Sequence, residues 1–180
     1  MKKIFEIGEG FKVPDGTMVH SVLDPRVASQ YKSEWVDDIS TAVGVIPAGI
    51  TSKIHLHPLA TQVTWVLSGN LTVKMKDPKA EEPYSLNLSK DQSVVTKAGT
   101  FFQLVNSGKE ECRVIYIVTP AFVFECSDKG EVVYNDALVL DQDWEELAKA
   151  GWKVPEMADI KAVRKVRNGS KARLKSSLSA

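Results

Sequence analysis

The sequence predicts an all-β barrel or sandwich carrying a short C-terminal helix. Three observations lead there. Between about residues 17 and 134, short runs rich in Val, Ile, Thr and aromatic residues recur at roughly 8–12-residue spacing. Each run is bounded by Gly, Pro, Asn, Asp or Ser, the residues that turn a chain. Finally, no segment before residue 140 has apolar residues at helical spacing, and after it the period changes.

The runs fall at 18–23, 41–47, 53–57, 62–67, 71–75, 84–88, 93–96, 101–106 and 112–119. Ser68-Gly69-Asn70, between two apolar runs, predicts a hairpin turn. In 141–151, Trp144, Leu147 and Ala148 share one helical face, an Asp opens the segment and Gly151 closes it. This predicts a short helix packed outside the barrel. Residues 155–180 are read as either a second, basic helix or an arm, because Gly169-Ser170 interrupts the periodicity. The expected organisation is an N-terminal arm over 1–16, one β domain over 17–135, and a C-terminal helix and basic tail over 136–180.

A length of 180 residues, 43% of them hydrophobic and 26% charged, suits one folded domain. No apolar run reaches the roughly 18 residues that would span a bilayer, and Met1-Lys2-Lys3 is not followed by the apolar core of a secretory signal. Cys112 and Cys126 are in no metal-like pairing, and both are read as free thiols of a cytoplasmic protein. The formal net charge of zero hides an asymmetry. Of 23 Lys and Arg, seven follow Ile160, leaving 16 on residues 1–159 against all 23 acids. So acidic a body argues against nucleic acid as a partner, and the tail is expected to be solvated or to fold back on it.

Chemistry concentrates between Gly49 and Gly69. On a strand, residues two apart point the same way, so His55 and His57 aim into one space. Two imidazoles placed so can converge on one metal ion at about 2.0–2.1 Å each. Pro58 to Thr61 can turn the chain, so that Gln62 returns on an antiparallel neighbour facing the same interior. Thr64 shares the face of Gln62; Val63, Trp65 and Leu67 share the other, which predicts contact with another sheet or subunit and hence a homodimer. Metal-free histidines bonded to each other or to water are the other reading of the pair. His20 is read as a surface or core residue. There is no phosphate-binding loop, no nucleophile elbow and no paired-histidine zinc helix.

The spacing Gly49-x5-His55-x-His57-x4-Gln62-x6-Gly69 resembles the first signature of the cupin superfamily, which carries Glu where this chain has Gln62. The second cupin signature is matched only by Gly99 and Asn106, with Asp91, Lys97 and Phe102 in its other places. The resemblance implies an antiparallel jelly-roll with a ligand pocket inside. It implies one divalent metal ion (Zn, Fe, Ni or Co) on His55, His57 and Gln62, with Phe102 replacing the third histidine and, with Thr64, facing the substrate. Gln103 is turned away by strand alternation. The function implied is a metal-dependent enzyme acting on an enolisable or aromatic small molecule, dioxygenase-like or resembling polyketide cyclases and isomerases. The alternative is a non-catalytic cupin that binds or senses a small molecule.

Overall fold

The computed structural model describes residues 7, 9–23 and 37–178; the remaining parts of the expected N-terminal arm and tail lie outside them. Thirteen strands occur among the described residues. They are β1 (Phe11–Lys12), β2 (Met18–Leu23), β3 (Ser40–Ile46), β4 (His55–Leu56), β5 (Thr61–Ser68), β6 (Asn70–Lys76) and β7 (Tyr84–Ser89). Then follow β8 (Ser93–Thr96), β9 (Phe101–Val105), β10 (Cys112–Thr119), β11 (Phe124–Cys126), β12 (Val132–Asn135) and β13 (Leu138–Val139). Helices α1 (Trp144–Lys149) and α2 (Ile160–Leu178) close the chain.

Two antiparallel sheets face each other, in strand orders β1-β2-β3-β10-β5-β8 and β13-β4-β9-β6-β7, with β11 and β12 forming a separate hairpin. Alternation along the central strands explains the layering. On β10, Cys112, Val114, Tyr116 and Val118 are buried while Arg113 and Thr119 are exposed. Ile46, Val66, Leu71, Val73, Met75, Phe102 and Leu104 fill the space between the sheets.

Two local expectations change. Ser68-Gly69-Asn70 is not a hairpin turn, because β5 pairs with β10 and β8 whereas β6 pairs with β7 and β9. Gly69 instead turns the chain from one sheet to the other. Its φ of 78° favours glycine, and a Cβ there would stand 2.9 Å from the Glu111 carbonyl oxygen. Likewise β4 and β5 are not neighbours: β4 pairs with β9 and β13. Gln62 therefore looks at the histidines from the opposite sheet. Both misreadings share a cause, since a short turn can close a hairpin or a jelly-roll corner and local sequence does not separate them.

The helix expected in 141–151 forms over Trp144–Lys149. Asp143 caps it, accepting from the backbone N–H groups of Glu145 and Glu146, and the Glu146 side chain completes a capping box. Leu147 joins Ile54, Leu56, Phe101, Leu140 and Val154 in a second apolar cluster outside the five-stranded sheet. β9 thus sends Phe101 outward to the helix and Phe102 inward.

The basic segment forms the 19-residue α2 and folds back on acidic groups of the body. Arg167 Nε donates to Asp136 Oδ1 and Oδ2 at 2.9 and 3.1 Å, and both side chains are buried. Arg173 makes a two-pronged contact with Glu125 at 2.7 Å per bond, holding its carboxyl below the usual range, and Lys171 and Lys175 reach Asp37. Among the described residues no helix is long and apolar enough to cross a membrane.

Candidate functional site

A cavity of about 330 Å³ opens between the sheets, within the size range of small-ligand pockets. Its walls are largely apolar, including Phe11, Val19, Leu104, Val118, Phe122 and Phe124, and the β11–β12 hairpin contributes Cys126, Val132 and Asn135. Polar groups on the wall include His55, His57, Gln62, Asp15, Thr17 and Tyr116.

Each reaches the cavity for a structural reason. His55 lies on β4 opposite Phe102 of β9, and His57 follows just after the strand. Their rings are 6.0 Å apart between centroids. Phe102 packs against both, 4.0 Å from the His55 ring and 5.5 Å from that of His57, and Phe122 flanks His57 at 5.5 Å. His55 Nδ1 lies 3.1 Å from the Lys53 carbonyl oxygen. A carbonyl only accepts, so Nδ1 carries the hydrogen and the neutral ring keeps its lone pair on Nε2. His57 Nδ1 is buried without a hydrogen-bond partner among the described residues.

Burial pushes the pKa of His55 down, opposed by the Asp15 carboxylate and the Lys53 bond. Burial and then the His55 ring push His57 down to about 3. Both are neutral imidazoles near pH 7, which is the form that binds metal. Gln62 Nε2 donates to Thr64 Oγ1 at 3.0 Å, leaving the Oε1 end for a ligand.

His55, His57 and Gln62 thus line one cavity. Thr64 and Phe102 are not among the residues that line it; Thr64 accepts from Gln62, and Phe102 packs against the imidazoles. Leu104, two residues beyond Phe102 on the same face of β9, forms the wall instead. Gln103 is turned away, accepting from Trp144 Nε1 and donating to the Ser52 carbonyl.

Two polar residues were not anticipated. Asp15 sits in the turn between β1 and β2; its Oδ1 accepts from the Thr17 N–H and hydroxyl at 3.0 and 2.9 Å, and its Oδ2 faces His55 Nε2 at 3.9 Å. Pro14-Asp15-Gly16 is a recognisable turn sequence, but nothing local says that its carboxylate points inward. Tyr116, on β10, lies over Gly44, where a Cβ would collide with its ring at 2.4 Å. Its hydroxyl is buried and Thr17 stands beside it, outside hydrogen-bonding geometry. Burial and then the Asp15 charge push this phenol well above its ordinary pKa, so it remains a donor.

Residues 42–118 match the cupin domain family model. No curated protein sequence matches the chain. Similar solved structures include KdgF from Halomonas sp., at TM-score 0.52 and 17% identity, covering 67% of this chain and 94% of that one. A conserved protein with a double-stranded β-helix domain from Klebsiella pneumoniae aligns at TM-score 0.50 and 17% identity, over 78% of this chain and 93% of the other. The capsular polysaccharide assembling protein CapF from Staphylococcus aureus aligns at TM-score 0.54 and 16% identity, over 74% of this chain and 34% of CapF. At such identities the likeness shows the fold, which is the cupin double-stranded β-helix.

Cupins often bind a metal ion, so the donor set must be judged. Among the described residues, no three His, Cys, Asp or Glu side chains form a metal-holding group. The chemistry nevertheless fits a loosely held divalent ion. Two neutral imidazoles face one cavity with an amide oxygen available, His55 is oriented by a backbone carbonyl as ligating histidines are, and a buried His57 nitrogen has no partner among the described residues.

Proposed function

We propose that this cupin barrel is a metal-dependent enzyme acting on a small enolisable or aromatic molecule held in its cavity, by dioxygenase-like or cyclase- and isomerase-like chemistry. The observation that carries the proposal is the buried pair of neutral imidazoles on the wall of a largely apolar chamber. His55, His57 and Gln62 would hold one divalent ion, of Zn, Fe, Ni or Co type. Such an ion would act as a Lewis acid on a substrate oxygen. The chain's own residues do the rest: apolar walls exclude water, the Tyr116 hydroxyl donates to a carbonyl or phenol oxygen, and Phe102 fixes both imidazoles.

The test is elemental analysis of untagged protein beside a His55→Ala/His57→Ala variant. The parent is expected to retain metal near one equivalent and the variant to lose it. A metal-free barrel that binds or senses a small molecule is the second reading, favoured by neutral Gln62 and apolar Phe102 in two ligand positions. It prevails if parent and variant are equally metal-free while a ligand still occupies the cavity.

The working form is proposed to be a homodimer. Trp65 on β5 and Val95 on β8 share the outer face of the six-stranded sheet and are 44% and 49% exposed. A second copy of that face would cover them. Sedimentation should give twice the chain mass of 19.8 kDa, and Trp65→Glu should shift it to monomer. A parent that runs as a monomer at tens of micromolar refutes the dimer.

A further inference from the structure

We propose that the β11–β12 hairpin is a lid over the cavity, hinged at its buried base and held open by α2. The inference goes beyond the chemistry proposed above and holds for either reading of the barrel. β11 and β12 pair with each other and join neither sheet. Alternation sets the faces of β11: Phe124 and Cys126 line the cavity, while Glu125 between them points away to Arg173 of α2. The base of the hairpin is fastened. The Val123 N–H donates to Asp136 Oδ2 at 2.8 Å and the Asp136 N–H to the Val123 carbonyl oxygen at 3.0 Å, with buried Arg167 on the same carboxylate. Nearer the tip, α2 holds the hairpin through the Arg173–Glu125 pair, whose arginine is largely exposed.

Exposure marks the open side of the cavity. Its solvent-exposed wall residues are Lys12 and Pro14 at β1, and Cys126, Gly130 and Val132 on the hairpin. Val132 is 56% exposed although it lines the cavity. A small-molecule pocket covers most of its ligand, and this one is uncovered where the hairpin stands. An apolar ligand seated inside would give Val132 and Cys126 a surface to pack on. Swinging the tip inward would then take both out of water, which favours closure. The same motion carries Glu125, on the opposite face, away from Arg173. The ion pair therefore opposes closure and, being exposed, opposes it weakly. A segment with this balance has the low local stability from which lids are drawn.

The experiment uses the full chain and acetophenone, a neutral, aromatic and enolisable probe suited to the apolar walls. Of the two cysteines Cys112 is buried and Cys126 exposed, so alkylation by iodoacetamide reports the hairpin. Saturating acetophenone should slow that alkylation about fivefold or more, and should slow amide hydrogen exchange across residues 124–135. Direct contact between probe and thiol would also protect Cys126, so the deciding variant is a residue off the cavity wall. Arg173→Ala should tighten acetophenone binding by about twofold to fivefold in calorimetry. Glu125→Gln, which breaks the same pair, should do likewise, and Arg173→Lys should return toward the parent. Cys126 alkylation and hairpin exchange that ignore acetophenone overturn the lid. So does binding by Arg173→Ala and Glu125→Gln that is equal to or weaker than the parent's. No readout here involves metal, so elemental analysis still decides the metal-dependent reading separately.

Discussion

Asp136→Ala should lower the unfolding free energy by about 3–5 kcal/mol, read as a drop in the urea midpoint at unchanged slope. Asp136 is an acceptor hub between the barrel and α2. It takes the Val123 N–H at 2.8 Å, the Tyr134 hydroxyl at 2.8 Å and Arg167 Nε on both oxygens. Arg167 also donates to the Ala121 carbonyl oxygen at 2.5 Å. Removing the carboxylate leaves a buried guanidinium without its counter-charge, and that penalty dominates the effect. Asp136→Leu with Arg167→Met should recover only part of the loss, because the Val123 N–H stays unsatisfied. Arg173→Ala provides the contrast. The Arg173 side chain is 57% exposed, so its bond to Glu125 should be worth no more than about 1 kcal/mol. A loss below about 1 kcal/mol for Asp136→Ala would mean that α2 is not fastened through this pair.

What the sequence made legible follows from the range over which each feature is decided. Strand positions and the capped helix α1 rest on local chemistry, such as alternation on β10, the Asp143 cap and the Gly151 stop, and these can be read along the chain. Pairing across the barrel cannot. The Gly69 corner and the turn before Gln62 are short enough for hairpins, yet both pass between sheets, and only the closing of the barrel decides this. In the site, His55, His57 and Gln62 were visible because one motif carries all three. Asp15 and Tyr116 were not, since they enter from β strands and turns about 40 residues before and 60 residues after the histidines. Asp15 occupies an ordinary turn sequence, and Tyr116 is one buried position on an alternating strand. The basic tail was legible as charge, while its partners Glu125, on β11, and Asp136, just after β12, belong to a segment that the strand reading did not single out.

Phe102→His should lower stability in the metal-free protein and recover part of that loss when metal is added. Phe102 is 1% exposed and lies directly across from His55 on the neighbouring strand, at the place where the second motif would put a third histidine. Cross-strand partners have Cβ atoms about 4.5–5.5 Å apart. An imidazole at position 102 can therefore share a metal ion with His55, whose ring is now 4.0 Å from the phenyl ring. In the metal-free protein the change removes apolar packing against both histidines and buries ring nitrogens without assured partners. That should cost about 2–4 kcal/mol. With Zn²⁺ or Co²⁺ present, three imidazoles give the ligand count of a catalytic metal site. Affinity should rise at least tenfold over the parent, about 1.4 kcal/mol. At a metal concentration about 100 times the variant's dissociation constant, the bound ion adds about 2.7 kcal/mol to the variant and about 1.4 kcal/mol to a parent that binds about tenfold more weakly, which offsets part of the packing loss. Thermal melts of parent and variant with and without metal read both effects together. A folded variant that holds metal no more tightly than the parent would show that the phenyl ring does not stand at the vacant ligand position.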